Sequence, residues 1–303
     1  MKKVIILGDF TVNIFPGGSE MNVRSLADFA NESKLLDVEE ISLNEKDGDK
    51  FKRIELLKEK LKAADLVILN NRGTLQSSEI TWLINNVDYV NFEQDYSFCK
   101  NRNYMCEQDG CKCQPEIAGE IIKKAKLNVF LNPLQRQIFK SKYGDCVNNS
   151  ILVPAIFDSD PFHDMKLKRI PNSHLMVGRL NYEKGVDRVM NMAMRDPNGK
   201  YFFVGEGNET GLIRLPNVIH LGKVDFKTLP YLYNLMENYV CLSNWVDTGP
   251  RTVVEAELSG CKIICDDSRC GIRSYKWNSE EELRELIKNA PNKFWEKVME
   301  VMK

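Results

Sequence analysis

Short β-branched runs alternate with longer amphipathic stretches along almost the whole chain. Val4–Leu7 predicts a strand, and Met21–Asn31 a helix with Val23, Leu26, Ala27 and Ala30 on one face. Strand Val38–Leu43, helix Lys50–Ala63, strand Leu66–Leu69, helix Ser77–Ile84 and strand Tyr89–Phe92 follow. Pro115–Ala125 and Pro133–Ser141 open on prolines suited to a first helical turn; they flank strand Val129–Leu131, and Ile151–Val153 closes the series. After the Pro- and Asp-rich stretch Pro154–Asp164 the alternation restarts. It runs through strands Leu175–Val177, Tyr201–Val204, Val218–Leu221, Tyr239–Leu242 and Lys262–Cys265. The helices predicted among them are Glu183–Met194, Phe226–Leu235, Thr252–Ser259 and Glu280–Asn289. Such alternation predicts α/β architecture with doubly wound parallel sheets. The restart predicts two Rossmann-like domains, 1–154 and 155–290, facing a central cleft, with the amphipathic tail 291–303 returning to the first. Ligands in such folds bind at the carboxyl ends of strands, where the polar turns of this chain fall.

Composition changes this picture little. A chain of 303 residues is long enough for two cores of about 150 residues each. Hydrophobic residues at 43% and charged residues at 28% describe an ordinary globular protein, and a net charge of −1 gives no reason to expect nucleic acid. The apolar core Val4–Leu7 is too short for a secretory signal, and no run approaches the roughly 18 apolar residues of a membrane span. A cytoplasmic protein is expected, with peripheral contact to a membrane left open. Nine cysteines is an odd number and argues against a disulfide scaffold. Cys241, Cys261 and Cys265 lie in apolar strand contexts and read as small buried hydrophobes.

The chemistry concentrates in a few turns. Gly178-Arg179 and Lys184-Gly185 bracket a strand-to-helix turn, and fixed cations there suit the charge that develops on a departing diphosphate. As an isolated spacing the pair would read as two solvated cations; the flanking glycines favour the site. Asp247 and Glu255 are eight positions apart across Gly249-Pro250, so Asp247 belongs to the turn and Glu255 to the following helix. The amides at Arg251, Thr252 and Val253 then offer an anion site at a helix start. Asp247 fits a sugar and Glu255 a ribose; the plainer reading of Asp247 is an acid set against the helix dipole. Gly17-Gly18 permits close backbone approach to an anion, or simply turns the chain. Val204-Gly205-Glu206-Gly207 is half of a dinucleotide fingerprint. Asp95, in Glu93-Gln94-Asp95-Tyr96, suits an acceptor hydroxyl or the donor sugar, and equally a turn acid. Cys99, Cys106, Cys111 and Cys113 crowd four thiols into fifteen positions. Structural Zn²⁺ or an Fe–S cluster is one reading and an unliganded, redox-labile loop the other.

Taken together, these motifs resemble the retaining glycosyltransferases of GT-B architecture, the family-4 group that uses nucleotide-activated sugars. Gly17-Gly18-Ser19-Glu20 is similar to that group's early Gly-Gly-x-Glu. Val177-Gly-Arg-Leu-Asn-Tyr-Glu-Lys-Gly-Val-Asp187 is similar to its V-G-R-L-x-x-E-K-G-V-D segment, and Asn217–Gly222 to its N-V-x-F-x-G strand. Asp247–Glu255 followed by Ala256–Gly260 resembles its E-x7-E element and A-M-A-x-G. The resemblance implies that Arg179 and Lys184 hold the diphosphate of a nucleotide-sugar donor and Glu255 the ribose. Asp247 would lie near the transferred sugar, and the Thr252 and Val253 amides and the Gly17-Gly18 loop near the phosphates. It also implies that no divalent ion is required and that no enzymic nucleophile is needed. The acceptor stays open among lipid-linked, glycan, protein and small-molecule classes. Asp247 stands where the group carries Glu, Gln94-Asp95 where many members carry His-Asp, and Cys111 and Cys113 lie one residue closer than a C-x-x-C. A nucleotide-sugar 2-epimerase of the same architecture and a catalytically silent sugar-nucleotide-binding subunit are the alternatives.

Overall fold

The computed structural model describes residues 1–15, 17–44, 46–47, 50–51, 54–99, 102, 115–207 and 214–303. The chain forms two compact units, Met1–Phe157 with Ile287–Lys303, and Asp158–Leu286.

In the first unit the elements are β1 (Lys3–Gly8), α1 (Gly18–Glu32), β2 (Asp37–Ser42), α2 (Ile54–Ala63), β3 (Leu66–Leu69), α3 (Ser77–Asn86), β4 (Tyr89–Glu93), α4 (Pro115–Lys124), β5 (Leu127–Phe130), α5 (Pro133–Tyr143) and β6 (Ser150–Leu152). The six strands make one parallel sheet of order β2-β1-β3-β4-β5-β6. Helices cover both of its faces, so β1 is apolar at consecutive positions instead of alternating. Val4 and Ile6 pack with Val23, Leu26 and Ala30 of α1, while Ile5 and Leu7 pack with Leu57 and Leu61 of α2 and Leu83 of α3. The helix predicted from Lys50 begins at Ile54 instead, because Lys50–Phe51 pairs with Lys46–Asp47 as a short antiparallel ladder.

The second unit contains β7 (Ile170–Val177), α6 (Val186–Arg195), β8 (Lys200–Val204), β9 (Val218–Gly222), α7 (Leu229–Leu235), β10 (Met236–Cys241), α8 (Arg251–Leu258), β11 (Lys262–Cys265) and α9 (Glu280–Lys288). Its parallel sheet has the order β9-β8-β7-β10-β11. Met176, Tyr201, Phe203 and Val240 pack beneath Val186, Val189, Met190 and Ala193 of α6. That helix starts three residues later than its periodicity suggests. Gly185 caps it in the left-handed region, at φ 81°, and a Cβ there would sit 1.8 Å from the Leu242 carbonyl oxygen. Only glycine allows that approach. The predicted helix Phe226–Leu235 divides into a 3-10 turn, Phe226–Thr228, and α7.

The last helix, α10 (Ala290–Val301), belongs to the first unit. Phe294, Trp295 and Val298 enter the core beside α1, and Trp295 Nε1 donates to the Leu26 carbonyl at 2.9 Å. Each sheet reverses its strand order once, between β1 and β3 in the first and between β7 and β10 in the second. These reversals leave crevices at the carboxyl ends of the strands. Among the described residues, no helix is long and apolar enough to cross a membrane.

Candidate active site

In the second unit the loops after β7 and β10 meet at the strand-order reversal. Lys184 leaves the first loop and donates to Asp247 in the second, with its ammonium 5.6 Å from the centre of the Trp245 ring. Burial opposes the charge on Lys184, but the Asp247 carboxylate outweighs it and holds the amine above its ordinary range; exposed Arg179 acts weakly the other way. The Lys184 side chain keeps 34% of its surface, so a fixed cation remains reachable. Asp247 is itself clasped by backbone: its N–H donates to the Arg269 carbonyl and its carbonyl accepts from Gly271 N–H, both at 2.8 Å.

Helix α8 opens beside this pair. Thr252 Oγ1 accepts from the Tyr239 hydroxyl at 2.6 Å. The Val253 amide, expected to face an anion, donates to the Pro250 carbonyl at 3.0 Å, and its side chain is buried. The first turn tightens after proline, leaving Arg251 and Thr252 as the amides at the mouth of the helix. Glu255, expected to meet a ribose, is 0% exposed. One carboxylate oxygen takes Arg251 Nε at 2.6 Å and the other the Tyr233 hydroxyl at 2.9 Å. Burial raises its pKa, only partly offset by Arg251. The Arg251 guanidinium lies 5.2 Å from the Phe226 ring centre. The Arg251 side chain and Tyr233 escaped the sequence reading as partners of Glu255, although an Arg–Glu pair four apart on a helix is a legible signal.

Gly205 is engaged within the fold. Its N–H donates to the Gly222 carbonyl at 2.8 Å, its carbonyl meets His220 Nε2 at 2.8 Å, and a Cβ would lie 1.9 Å from the Gly178 carbonyl oxygen. Glu206 is exposed and its carbonyl accepts from Leu180 N–H at 2.9 Å. Gly205 therefore lets its loop pack against the Gly178 backbone, which helps set where Arg179 stands.

In the first unit a cavity of about 530 Å³ opens at the strand-order reversal, lined in part by Asp9, Arg72, Glu93, Gln94, Asp95 and Arg102. Asp9 accepts from the Gly73 and Thr74 amides at 2.8 and 3.0 Å. Buried Arg72 is held by Asn91, Glu93 and Ser97. Asp95 pairs with Arg102 Nε at 2.9 Å. Burial pushes the Asp95 carboxyl up to about 6; Arg102 lowers it, and nearby Glu93 and Asp9 add to the rise. Gln94 is buried, accepting from Asn22 Nδ2 at 2.9 Å and donating to the Ser19 carbonyl at 3.1 Å and Asn70 Oδ1 at 2.5 Å. It ties the first turns of α1 to the ends of β3 and β4. There Gly17 is the N-cap residue of α1, and a Cβ on it would strike Glu20 and Phe15, whereas Gly18 faces open space. Asp9 and Arg72 were missed from sequence; their signal is a charged residue within three positions of the end of an apolar strand.

Of the thiol cluster, Cys99 is described and is buried. Cys106, Cys111 and Cys113 lie outside the described residues. Among the described residues no group of three or more His, Cys, Asp or Glu is arranged to hold a metal ion.

Residues 164–303 match the family model described as glycosyl transferases group 1. No curated protein matches the chain. Among solved structures, the lipopolysaccharide outer core galactosyltransferase WaaB is similar at TM-score 0.68 and 13% identity, over 99% of both chains. Anabaena HepE, solved with UDP and glucose, is similar at TM-score 0.65 and 14% identity, over 100% of this chain and 93% of that one. S. aureus TarM, solved with UDP among its ligands, is similar at TM-score 0.60 and 13% identity; the chain spans 58% of its length. At these identities the structures speak for the fold, and the family model for the region that carries Arg179, Lys184, Asp247 and Glu255. The chain is a glycosyltransferase of GT-B fold whose residues 164–303 form its glycosyl transferases group 1 region.

Proposed function

We propose that this protein transfers a sugar from a nucleoside-diphosphate donor to an acceptor hydroxyl with retention of anomeric configuration. The observation that carries this reading is the Lys184–Asp247 pair beside the opening of α8, at the strand-order reversal of the second unit. As the glycosidic bond breaks, negative charge grows on the leaving diphosphate. Lys184, Arg179 and the amides of Arg251 and Thr252 meet it with charge already in place, so little reorganisation is needed. Asp247 keeps Lys184 protonated and stands where a donor hydroxyl can take its remaining lone pairs. Ribose reaches Glu255 by displacing Arg251 from its carboxylate, and the freed guanidinium becomes a further cation beside the phosphates.

Retention is supported by the likeness of the Asp247–Glu255 spacing to the paired acids of the retaining group. Same-face substitution lets the leaving phosphate take the acceptor proton. The 530 Å³ cavity of the first unit is the acceptor site in this reading, with Asp95 accepting a hydrogen bond from the incoming hydroxyl. Gln94, an amide, cannot titrate; it serves to hold the first turns of α1. Neighbours solved with UDP or UDP-glucose support a nucleotide-sugar donor.

The test is a panel of UDP-, GDP- and ADP-sugars followed by thermal shift, then product analysis with candidate lipid-linked and glycan acceptors. A donor that stabilises the wild type, and whose sugar appears on an acceptor as the same anomer, is the expected result. Acceptor-free conversion of the donor sugar would replace transfer by 2-epimerisation. A donor bound without any turnover would leave a binding subunit.

A further inference from the structure

We propose that Asn244 is a positioning residue that sets the Lys184 ammonium against the Asp247 carboxylate. Its importance to transfer rests on the role given to Lys184 above; the contacts that make the clamp do not. Lys184 and Asp247 stand on two loops that follow different strands, β7 and β10. A partly exposed ion pair between two such loops gains little by itself and loses side-chain freedom. A separate link between the loops is what keeps it in one geometry.

Asn244 makes that link. It lies in the loop after β10, next to Trp245. Its backbone N–H donates to the Glu183 carbonyl at 2.9 Å. Its side-chain amide donates from Nδ2 to the Tyr182 carbonyl and to Asp187 Oδ1, each at 2.7 Å. These three partners bracket Lys184 in the chain, with Asp187 in the first turn of α6. On its other side, the Asn244 carbonyl accepts from Arg269 Nη1 at 3.0 Å, and the Arg269 carbonyl accepts from the Asp247 N–H at 2.8 Å. One residue therefore holds both the turn that carries the cation and the segment that carries the acid. Arg188 Nη1 of α6 donates to the Ser243 carbonyl at 3.0 Å, and the close approach of Gly185 to Leu242 keeps the two backbones together. The same loop places the Trp245 ring beside the ammonium.

The contacts select asparagine. They use two donors on one planar group, one for a carbonyl and one for a carboxylate, and a hydrogen bond to an ionised acceptor is the stronger kind. Aspartate has the same shape but only acceptors. At position 244 it would set a carboxylate against the Tyr182 carbonyl and the Asp187 carboxylate, and both side-chain bonds would be lost without a change of volume.

The consequence is read at the Lys184 amine. Burial opposes its charge; Asp247, and less strongly Cys241, hold it; Arg179 acts against it. Once the loop is released, Asp247 no longer holds the proton and burial favours the neutral amine. More of the nucleophilic form is then present at any pH below the wild-type pKa.

The experiment labels the intact protein with acetic anhydride at about pH 9, below the ordinary lysine pKa. The rate at Lys184 is followed by peptide mass spectrometry, with exposed Lys262 as the internal reference. Asn244→Asp should raise the Lys184 rate severalfold over the reference. Adding Asp187→Asn should return most of it, because Asn at 187 can donate to Asp at 244 and the net charge is that of the wild type. A wild-type rate in Asn244→Asp, whatever its melting temperature, overturns the proposal, as does a gain that the second substitution leaves intact. If Asn244→Asp fails to fold, Arg269→Ala decides: it removes the link on the Asp247 side, should also quicken Lys184, and an unchanged rate overturns the proposal. Labelling needs no donor, so the clamp is tested whether or not transfer is found. With the donor from the nucleotide-sugar panel, Asn244→Asp should bind severalfold more weakly and recover with Asp187→Asn. A loosened Lys184 with unchanged donor affinity would count against phosphate binding by Lys184 and support the clamp alone.

Discussion

Lys184 stays charged in a half-buried position because Asp247 is set against it, and its amine titrates above its ordinary range. Lys184→Ala should lower turnover about 10²–10³-fold, the scale of losing one preorganised stabilising group. Steady-state kinetics on a variant with an unchanged melting profile would check this. Asp95 offers a test by pH. Its folded pKa of about 6 lies above the ordinary carboxylate value, so the fold favours the neutral form. Below about pH 4 the folded and unfolded forms are both neutral and the site costs nothing; above about pH 6 the folded chain carries a poorly solvated charge. Asp95→Asn should therefore stabilise the protein by up to about 3 kcal/mol at pH 8 and leave it unchanged near pH 4. Thermal melts at the two pH values check the sign. Individual site residues were unevenly legible. Arg179, Lys184 and Asp247 follow from their turns, but the occupied state of Glu255 depends on Tyr233, twenty-two positions away on another helix.

At the scale of elements, the strand-to-helix turn that delivers Lys184 depends on Gly185. Alanine there would require φ 81° and place its Cβ against the Leu242 carbonyl. Gly185→Ala should cost at least about 2 kcal/mol, measured by denaturant unfolding, and should reduce donor binding along with stability. Most elements could be read from periodicity, since buried parallel strands are short apolar runs and their helices carry one apolar face. The failures were local. Lys50–Phe51 was absorbed into a helix because its pairing with Lys46–Asp47 leaves no periodic trace, and α6 was begun too early because the charged turn ahead of Gly185 reads as helical. The pairing of Cys241 with Cys265 was invisible for another reason: register between β10 and β11 is a tertiary fact, and no spacing in one chain encodes it.

For the whole molecule, the course of the chain matters as much as its sheets. Helix α10 returns to the first unit and buries Trp295 completely. Trp295→Ala should destabilise that unit by about 3–5 kcal/mol, and calorimetry should show the loss in the transition of the first unit. If cations alone neutralise the leaving diphosphate, turnover should persist in excess chelator, and its abolition by EDTA would show that a divalent ion is required. The most direct test of the account is calorimetric titration of wild type and Lys184→Ala with the donor that emerges from the nucleotide-sugar panel. The account predicts saturable binding by the wild type and an affinity at least about tenfold weaker in the variant, a difference of about 1.4 kcal/mol. Equal affinities in two folded proteins would contradict it.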